Sequence, residues 1–451
     1  MGQAAESWEN VDPTTWRFHL REGATFHNGE PLDANAVKWN IDRVRTREDF
    51  MVRPQWDFVK EVKVVDDVTV DVITNEPWAY FEHDISYNGC ELLPPGYVEE
   101  VGDEAFAMNP VGSGPYQLTE FIASERYVFD AWDDYWAGRP EVDRVVYQVI
   151  PEAASQIAAL LAGQVDMVNN VALPDRENVC NTSGIECTKM TSGRLQHLLL
   201  RSEMESGGMA EEYPGYEPPL MDQNLRLAVS HALDRNLLAE VQGSAYPTLV
   251  RIGQYYPEGF GDKYHGPEAV DEWYDPELAK QLIKEAGYDP DAGDKPMVYF
   301  DAPNLWYGSE KEVAEAAALM LEEVGFEVEL NVLDKSAFLE QVHSPGLNRG
   351  IELGVKGGSP SLTPLFYQCD WWDRDYHVCI EEWDALNKQI LATVDPDERL
   401  ALWEKFWDYY LDWGGQVDLL EVEYTYAIND EFEWTPRADG WVTFRDLEVN
   451  E

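Results

Sequence analysis

The sequence predicts an α/β fold with two lobes and a cleft between them. Two strand–helix–strand patterns support this prediction, one in residues 142–168 and the other in residues 297–334. They are separated by residues 202–222, a polar stretch rich in glycine and proline that is not typical of regular structure. The chain has 451 residues, 44% of them hydrophobic, so it is long enough for two or three packed domains.

The composition is strongly acidic. Lys and Arg total 33 against 86 Asp and Glu, which gives a formal net charge of −53. Binding to nucleic acid or to an anionic membrane surface relies on clustered Lys and Arg, so the charge argues against both as direct partners. The 17 Trp, 23 Tyr and 16 Phe are spread along the chain, which argues against disorder.

An acidic folded surface predicts a halophilic source, because carboxylates on such a surface repel one another. Molar salt screens this repulsion, since it shortens the Debye length to roughly 3 Å. We therefore expect a higher melting temperature in molar salt than in dilute buffer. A melting temperature that does not rise with salt would contradict this hypothesis.

The sequence shows no run of 18 apolar residues, which would predict a transmembrane helix, and no basic-then-apolar start typical of a signal peptide. Its five cysteines lack the close CxxC-type pairs of a structural zinc site. The spacing is compatible with two short-loop disulfides, Cys180–Cys187 and Cys369–Cys379, and also with free buried thiols. Cys90 has no partner under the disulfide interpretation.

The first hundred residues predict a compact α/β unit. Trp16, Phe18 and Leu20 alternate with polar residues, which indicates a strand, and nothing before Trp16 indicates an element. Asp33 is a suitable N-cap for a helix that follows it. Alternating valines on both sides of residues 66–67 predict a β-hairpin.

The middle of the chain predicts further strands. Glycine and proline in residues 112–115 predict a break, after which Tyr116 begins a strand and, we expect, a new subdomain. The pattern in residues 142–168 places a helix that ends at Gly163 between two strands. Another apolar strand covers residues 194–201.

The second half is richer in helices. Residues 224–242 predict one amphipathic helix, and residues 275–287 predict a shorter one with an Asp cap, a Pro in the first turn and a closing Gly. Ligands of open α/β sheets bind at the carboxyl ends of strands, so we expect the loop of residues 302–309 to face the cleft. Residues 399–413 predict a helix, followed by short strands to the end of the chain.

Six stretches go beyond generic α/β patterning. They begin with AAESWE and WRFHLREGATFHNGEPLDANAVKWNIDR, continue with NPVGSGPYQLTEF and YWAGRPEVDRVVYQVIPEAASQIAALLAGQVDM, and end with LRLAVSHALDRNLLAEV and YDPELAKQLIKEAGY. In this order they resemble signature stretches of the extracellular solute-binding proteins of the dipeptide and oligopeptide transport family. The resemblance covers essentially the whole chain.

The resemblance implies a non-enzymatic receptor for an ABC importer, with a two-lobed periplasmic-binding-protein-like fold (type II) and an extra α/β subdomain in lobe I. It implies capture of a peptide or a similar small solute between the lobes, docking on the permease subunits, an extracytoplasmic location, and no catalytic residue, metal ion or cofactor. Membrane contact is then indirect, through the permease or a missing lipid anchor. The implied boundaries are 1–105 for the accessory subdomain of lobe I, 106–200 for its main subdomain, 201–415 for lobe II and 416–451 for the return to lobe I.

The start of the chain departs from the family pattern. Family members carry a secretion signal and a strand of the lobe I sheet ahead of the AESWE stretch, and this sequence shows neither there. From this we expect a truncated gene or a misassigned start codon, with the N-terminal part of lobe I missing. The lobe I sheet would then lack a strand and have an unpaired edge.

A second departure concerns the ligand. Peptide-binding relatives often hold the peptide's amino group with an aspartate of the second lobe, in a stretch that here runs from Gly354 to Phe366 without any acidic residue. A buried ammonium without a carboxylate partner is costly. Short peptides are therefore less favoured here than in the family, and oligosaccharides, other small organic solutes and nickel complexes become competitive.

Three kinds of residue are expected to line the cleft. Aromatic rings on loops can stack on a sugar or grip a peptide side chain, and amides that follow strand ends can hydrogen-bond a solute. Lys356 is the one cation in a neutral glycine loop, so it can pair with an anionic group. Each of these residues could instead have an ordinary structural role: Lys356 as an exposed surface lysine, and the asparagines as turn residues. The predicted ligand-binding residues are Asn169, Asn170, Asn304, Trp306, Tyr307, Lys356, Gly357, Gly358, Ser359, Trp371 and Trp372.

Other motifs favour other functions only weakly. His19 and His27 lack a third ligand that would complete a metal site, so we interpret both as structural. The GSG of residues 112–114 lacks the GK[ST] of a phosphate loop, and the GGSPS around Ser359 lacks the GxSxG of a nucleophile elbow. A glycosidase-like enzyme would need two carboxylates about 5 to 10 Å apart across a pocket. A non-functional fragment would bind no solute at all.

Overall fold

The computed structural model describes residues 4–50, 52–86, 91–200, 218–243, 245–250, 263, 266–304, 309–342, 350–357, 381–437 and 440–450. The strands are β1 Ala5–Asp12, β2 Thr15–Leu20, β3 Val59–Asp66, β4 Thr69–Thr74, β5 Tyr116–Ile122, β6 Arg126–Ala131, β7 Arg144–Gln148, β8 Met167–Val168, β9 Ile185–Leu200, β10 Ala245–Pro247, β11 Met297–Pro303, β12 Glu327–Leu333, β13 Ile351–Lys356, β14 Gln416–Asn429, β15 Phe432–Glu433 and β16 Glu448–Val449. The α-helices are α1 Ala34–Thr46, α2 Phe81–Asp84, α3 Pro95–Val101, α4 Asp103–Met108, α5 Ala153–Leu161, α6 Leu173–Cys180, α7 Gln223–Ala232, α8 Arg235–Gln242, α9 Pro267–Trp273, α10 Pro276–Glu285, α11 Glu310–Val324, α12 Lys335–Val342, α13 Glu381–Ala392 and α14 Pro396–Trp413.

The N-terminal sheet is antiparallel, with the strand order β1–β2–β4–β3 in the described part of the chain. The strand predicted at Trp16 is confirmed as β2, and the hairpin as β3 and β4. The predicted helix is α1, and Oδ1 of Asp33 caps it by accepting a hydrogen bond from N of Ala36 at 2.9 Å. The prediction that no element precedes Trp16 is wrong, because β1 pairs with β2. Seven of the eight residues of β1 are exposed, so it lacks the alternation that reveals a strand.

The second sheet is also antiparallel, with the order β5–β6–β7. His27 attaches it to the N-terminal sheet. The main-chain N–H of His27 donates to O of Gly112 at 2.8 Å, and its Nε2 bonds O of Gly114 at 2.9 Å. Its Nδ1 lies 3.4 Å from the N–H of Gly112, which donates to it. Burial of the ring lowers the pKa of His27 below its ordinary value, so this neutral arrangement is favoured.

The largest sheet has the order β10–β14–β9–β13–β11–β12 among the described residues, and β8 pairs with the far end of β14. The pattern in residues 297–334 is confirmed as β11, α11 and β12, with Gly325 closing the helix at a φ of +117°. The pattern in residues 142–168 is confirmed as β7, α5 and β8. Its two strands, however, belong to different sheets.

Two predictions for the second half need correction. The helix predicted for residues 224–242 is divided into α7 and α8, because the side chain of Asp234 accepts the N–H of Leu237 at 2.9 Å and caps a new helix. The short strands predicted after residue 413 include β14, which is 14 residues long. Most of β14 is buried on both faces, including Asp418, Glu421 and Thr425, so its burial does not follow the polar and apolar pattern of its sequence.

The core under the N-terminal sheet includes side chains of α13 and α14. Nε1 of Trp403 donates to the hydroxyl of Tyr80 at 2.6 Å, and the guanidinium of Arg399 lies 5.0 Å from the Tyr80 ring centroid. Trp403 stacks on Trp407 with the centroids 5.2 Å apart. Burial raises the pKa of Tyr80 to about 12. This aromatic contact therefore joins segments that are 323 residues apart in the chain.

A disulfide joins Cys180, at the end of α6, to Cys187 in β9, with the Cα atoms 5.4 Å apart. It is one of the two short-loop pairings that the spacing allows. The other pairing, Cys369–Cys379, and Cys90 lie outside the described residues. The domain boundaries stay a prediction. No helix within the described ranges is long and apolar enough to cross a bilayer.

Candidate functional site

The candidate site lies where β9 and β14 cross from one half of the molecule to the other. The two strands form an antiparallel ladder that runs from Gln416 opposite Leu199 to Asn429 opposite Ile185. On one side of its middle, β9 pairs with β13; on the other side, β14 pairs with β8. We call this ladder the crossing pair.

The crossing pair is irregular at its centre. Val422 stands opposite Arg194, but the next residue, Glu423, stands opposite Thr191, so residues 192–193 form a bulge. A bulge bends its strand and increases the local twist. The bend falls between the part of the ladder beside β13 and the part beside β8, which is where the two halves meet.

On the β13 side, strand ends bring predicted residues together. β11 is parallel to β12 and β13, so the three strands end at the same edge of the sheet. Asn304 follows β11 and is exposed, and its main-chain N–H donates to O of Leu333 at 2.8 Å. Lys356 ends β13 opposite Leu195, and Gly357 follows it. These predicted residues therefore lie at one edge, next to the bulge.

On the β8 side, the predicted asparagines follow the end of that strand. Asn169 is exposed, and Oδ1 of Asn170 is buried without a hydrogen-bond partner in the described part of the chain. The next residue, Val171, donates its N–H to O of Thr425 at 2.8 Å. Thr425 lies four residues beyond Glu421, which is opposite Leu195. Four strand residues span about 13 Å, which is the offset between the two polar edges along the direction of β14.

Arg176 connects the two sides. Its Nε donates to O of Val171 at 2.9 Å and its Nη1 to O of Gly243 at 3.0 Å. Burial lowers the pKa of Arg176, while the nearby charge of Glu423 acts in the opposite direction. The terminal methyl groups of Leu173 pack over Gly243, whose φ of +78° also favours glycine. This contact holds the start of α6 against the end of α8.

Buried polar groups stabilise the β13 side. Arg235 is fully buried, and its Nε donates to O of Asp418 at 2.8 Å. Burial lowers its pKa to about 10. The carboxylate of Asp418 accepts bonds from the hydroxyl of Tyr410 at 2.9 Å and from Nε2 of Gln416 at 2.7 Å. These contacts fix the end of β14 and indicate a structural role rather than a chemical one.

The crossing carries charges of both signs. Arg176, Lys189, Arg194 and Lys356 lie on or beside the crossing pair, and its two strands also contain Glu186, Asp418, Glu421 and Glu423. Nζ of Lys189 lies 4.0 Å from Oε2 of Glu423. Among the described residues no group of three or more His, Cys, Asp or Glu side chains could hold a metal ion. The site therefore offers amides and main-chain groups at strand ends to a solute.

The remaining predicted site residues lie outside the described residues: Trp306, Tyr307, Gly358, Ser359, Trp371 and Trp372. Sequence reasoning missed Arg176 and Thr425. Arg176 lies on a short helix of low amphipathicity that carries no motif, and Thr425 is one residue within a long, largely buried strand. The pairing of β8 with β14 is what brings both to the site.

A two-lobed α/β molecule whose halves are joined by long strands, with polar strand ends on both sides of the junction, has the architecture of solute-binding proteins that close around a ligand. The chain belongs to the bacterial extracellular solute-binding proteins, family 5 (Middle), whose family model matches residues 1–377.

Two curated relatives resemble it over most of its length. The glutathione-binding protein GsiB of Salmonella paratyphi A is 23% identical over 419 residues, which cover 88% of this chain and 75% of that protein. The dipeptide-binding protein of Escherichia coli is 24% identical over 436 residues, which cover 89% and 77%. The crystal structure of a peptide-binding protein AppA of Clostridium difficile matches with a TM-score of 0.84 at 19% identity, covering 100% of this chain and 92% of that one. The type II fold expected from the resemblance is thereby confirmed.

Proposed function

We propose that this protein captures a short peptide, or a similar small solute that carries a carboxylate, between the two polar edges of the crossing pair and delivers it to the permease of an ABC importer. It does so outside the cytoplasm and without making or breaking a bond in the solute. The observation that carries this proposal is the placement of Asn170 on one side of the bulge and of Asn304 and Gly357 on the other.

A solute that touches both edges can drive closure. Only contacts that differ between the open and closed forms shift the equilibrium between them. The bend at residues 192–193 lies between the two edges. When the two halves move apart at this bend, a solute can no longer contact both edges.

The names of the relatives support the class of solute. One binds a dipeptide and another binds glutathione, which both contain peptide-like amides and carboxylates. Main-chain and amide groups at strand ends suit such ligands, because they supply donors and acceptors in fixed positions.

Isothermal titration calorimetry in molar salt tests the proposal with four probes: a dipeptide, glutathione, an oligosaccharide and a nickel–histidine complex. We expect binding of a peptide probe and a rise in melting temperature that follows its concentration. Binding of the sugar or the nickel complex alone would overturn the peptide assignment. Binding of none of the four would favour the non-functional fragment.

Variants locate the site. Asn170→Ala and Asn304→Ala each remove one side-chain amide, so each is expected to weaken peptide binding about tenfold. The matched control is Asn35→Ala, since Asn35 is exposed on α1. Equal affinities for the three variants would place the ligand elsewhere. A solute consumed or altered during the titration, seen by mass spectrometry, would contradict the non-enzymatic function.

A further inference from the structure

The turn between α6 and β9 carries the sequence Asn181-Thr182-Ser183, which solute capture does not use. An Asn followed by any residue except Pro, and then by Ser or Thr, is the acceptor pattern for attachment of a sugar to an asparagine side chain. The pattern occurs once in the 451 residues. A pattern of three residues also arises by chance, so its structural surroundings decide whether it is an acceptor or an ordinary turn.

The turn exposes the first and third residues of the pattern and turns the second one inward. Asn181 and Ser183 are exposed, whereas Thr182 is partly buried. Oγ1 of Thr182 donates to O of Asn178 at 2.8 Å, which directs this side chain back onto α6. Within the described part of the chain, the side-chain amide of Asn181 makes no hydrogen bond. The two positions that a glycosyl transferase recognises are therefore both accessible from solvent.

A capping role does not explain the asparagine at this position. Asn181 directly follows α6, and asparagine is favoured at a helix end where the residue takes the left-handed conformation. Its φ of −97° and ψ of 2° are instead those of a type I turn, which most residues adopt. The left-handed residue of this turn is Gly184, with a φ of +86°. The shape of the turn thus requires Gly184 but not the amide of Asn181.

The adjacent disulfide indicates the compartment through which the chain passes. Cys180 directly precedes Asn181, and its bond to Cys187 closes the loop that contains the pattern. Disulfides form in oxidising compartments outside the cytoplasm. Sugar attachment to Asn-x-Ser/Thr is a modification of surface loops in secreted proteins. Two independent features of one loop therefore indicate the same side of the membrane.

We propose that Asn181 is a site of N-linked glycosylation, modified by a membrane transferase after export. The proposal rests on the extracytoplasmic location given under the proposed function. The sugar donor is a saccharide linked to a polyisoprenyl phosphate. Nδ2 of Asn181 forms a bond to the anomeric carbon of the donor, and the bond from that carbon to the phosphate oxygen breaks. The amide releases one proton, and the polyisoprenyl phosphate leaves with the electron pair of the broken bond.

The turn lies at the end of the crossing pair that is remote from β13. Ile185 is opposite Asn429 in the last pair of this ladder, whereas Lys356 at the end of β13 is opposite Leu195. The ten residue steps from Ile185 to Leu195 along β9 correspond to about 33 Å. Sugar attachment and solute binding therefore concern different parts of the molecule and can be measured separately.

Mass spectrometry of the full chain, isolated from the extracytoplasmic fraction of its own source cells, tests the proposal. After reduction and alkylation, trypsin releases residues 177–189, which contain the pattern. We expect this peptide to be heavier by one or more sugar residues, with fragment ions that place the sugar on Asn181. An unmodified peptide, or a sugar on Asn178 alone, would overturn the proposal.

Variants of the third position separate sugar attachment from folding. Ser183→Ala removes the recognised hydroxyl and leaves Asn181 in place, so we expect the modified fraction of the peptide to fall at least about tenfold. Ser183→Thr, the matched control, keeps the pattern and is expected to retain the sugar. Equal modified fractions in the two variants would contradict the proposal. Should Ser183→Ala fail to fold, the peptide from the parent chain alone decides.

Solute titration of the same preparations distinguishes this site from the proposed function. A modified parent chain that binds none of the solute probes supports the site and rejects solute capture. An unmodified chain that binds a peptide probe rejects the site alone. A chain found only in the cytoplasm would overturn both.

Discussion

β14 and β7 contrast two ways in which a strand is used in this molecule. β14 is paired with β9 along its length and with β10 and β8 on its other side, and most of it is buried. β7 also carries valine and tyrosine, yet it is paired on one side within the described chain and is largely exposed. Both strands contain apolar side chains, so their partners account for the difference in burial better than their composition does.

Truncating one side chain in each strand is expected to give the largest difference between them in the free energy of unfolding. Leu420 in β14 is completely buried, so Leu420→Ala leaves a cavity and is expected to lower the free energy of unfolding by about 2–5 kcal/mol. Val146→Ala in β7 is expected to change it by less than about 0.5 kcal/mol. Urea denaturation in molar salt measures both. Equal losses would show that β7 is buried in solution.

The disulfide extends the comparison to β9, because it fixes the start of that strand covalently, whereas β7 contains no cysteine. Replacing both Cys180 and Cys187 with Ser opens a short loop, which in the chain-entropy account lowers the free energy of unfolding by about 2.5 kcal/mol. A reductant should have the same effect on the parent chain and none on the double variant. A parent chain that is insensitive to reductant would contradict the bond.

Two buried threonines sharpen the comparison within the core. The hydroxyl of Thr425 has no hydrogen-bond partner among the described residues, so Thr425→Val removes an uncompensated polar group and is expected to be neutral or stabilising by about 1 kcal/mol. The hydroxyl of Thr248 bonds O of Val250 at 2.5 Å, so Thr248→Val is expected to destabilise by about 1–2 kcal/mol. Urea denaturation of both variants gives the two signs, and a loss of stability in Thr425→Val would show that its hydroxyl is bonded.

A pH titration tests how the sheet containing β7 is attached. The pKa of His27 is lowered in the folded chain, so the unfolded chain takes up the proton first as the pH drops. The free energy of unfolding therefore decreases as the pH falls below about 6.5, and His27 does not change it above that pH. We expect His27→Gln to reduce the fall in melting temperature between pH 7.5 and 5.5. His231, whose pKa burial also lowers, supplies the part that remains in His27→Gln. Identical pH profiles for His27→Gln and the parent chain would remove His27 from this role.

Much of the fold could be predicted from the sequence because its strands and helices have clear periods and caps. Asp33, Gly325 and the hairpin at residues 66–67 each act within a few residues. β1 could not be recognised, because both of its faces are exposed. The division of residues 224–242 at Asp234 also escaped the helical period, since a capping side chain interrupts the helix without a Gly or Pro.

The candidate site was predictable only in part. The rule that ligands bind at strand ends identified Asn170 and Asn304, which lie at the two polar edges. The bulge at residues 192–193 depends on the register between strands more than 200 residues apart, and no local pattern encodes it. The bridge from Arg176 to Gly243 likewise arises from tertiary packing.

The contact of Trp403 with Tyr80 gives the protein an optical sensor of its own. The indole is hydrogen-bonded to a segment beside the N-terminal sheet and stacked on Trp407 within α14. Any change at this contact alters the surroundings of two buried indoles at once. Emission from the unlabelled chain can therefore follow such a change in real time, and Trp403→Phe would leave only the contribution of Trp407.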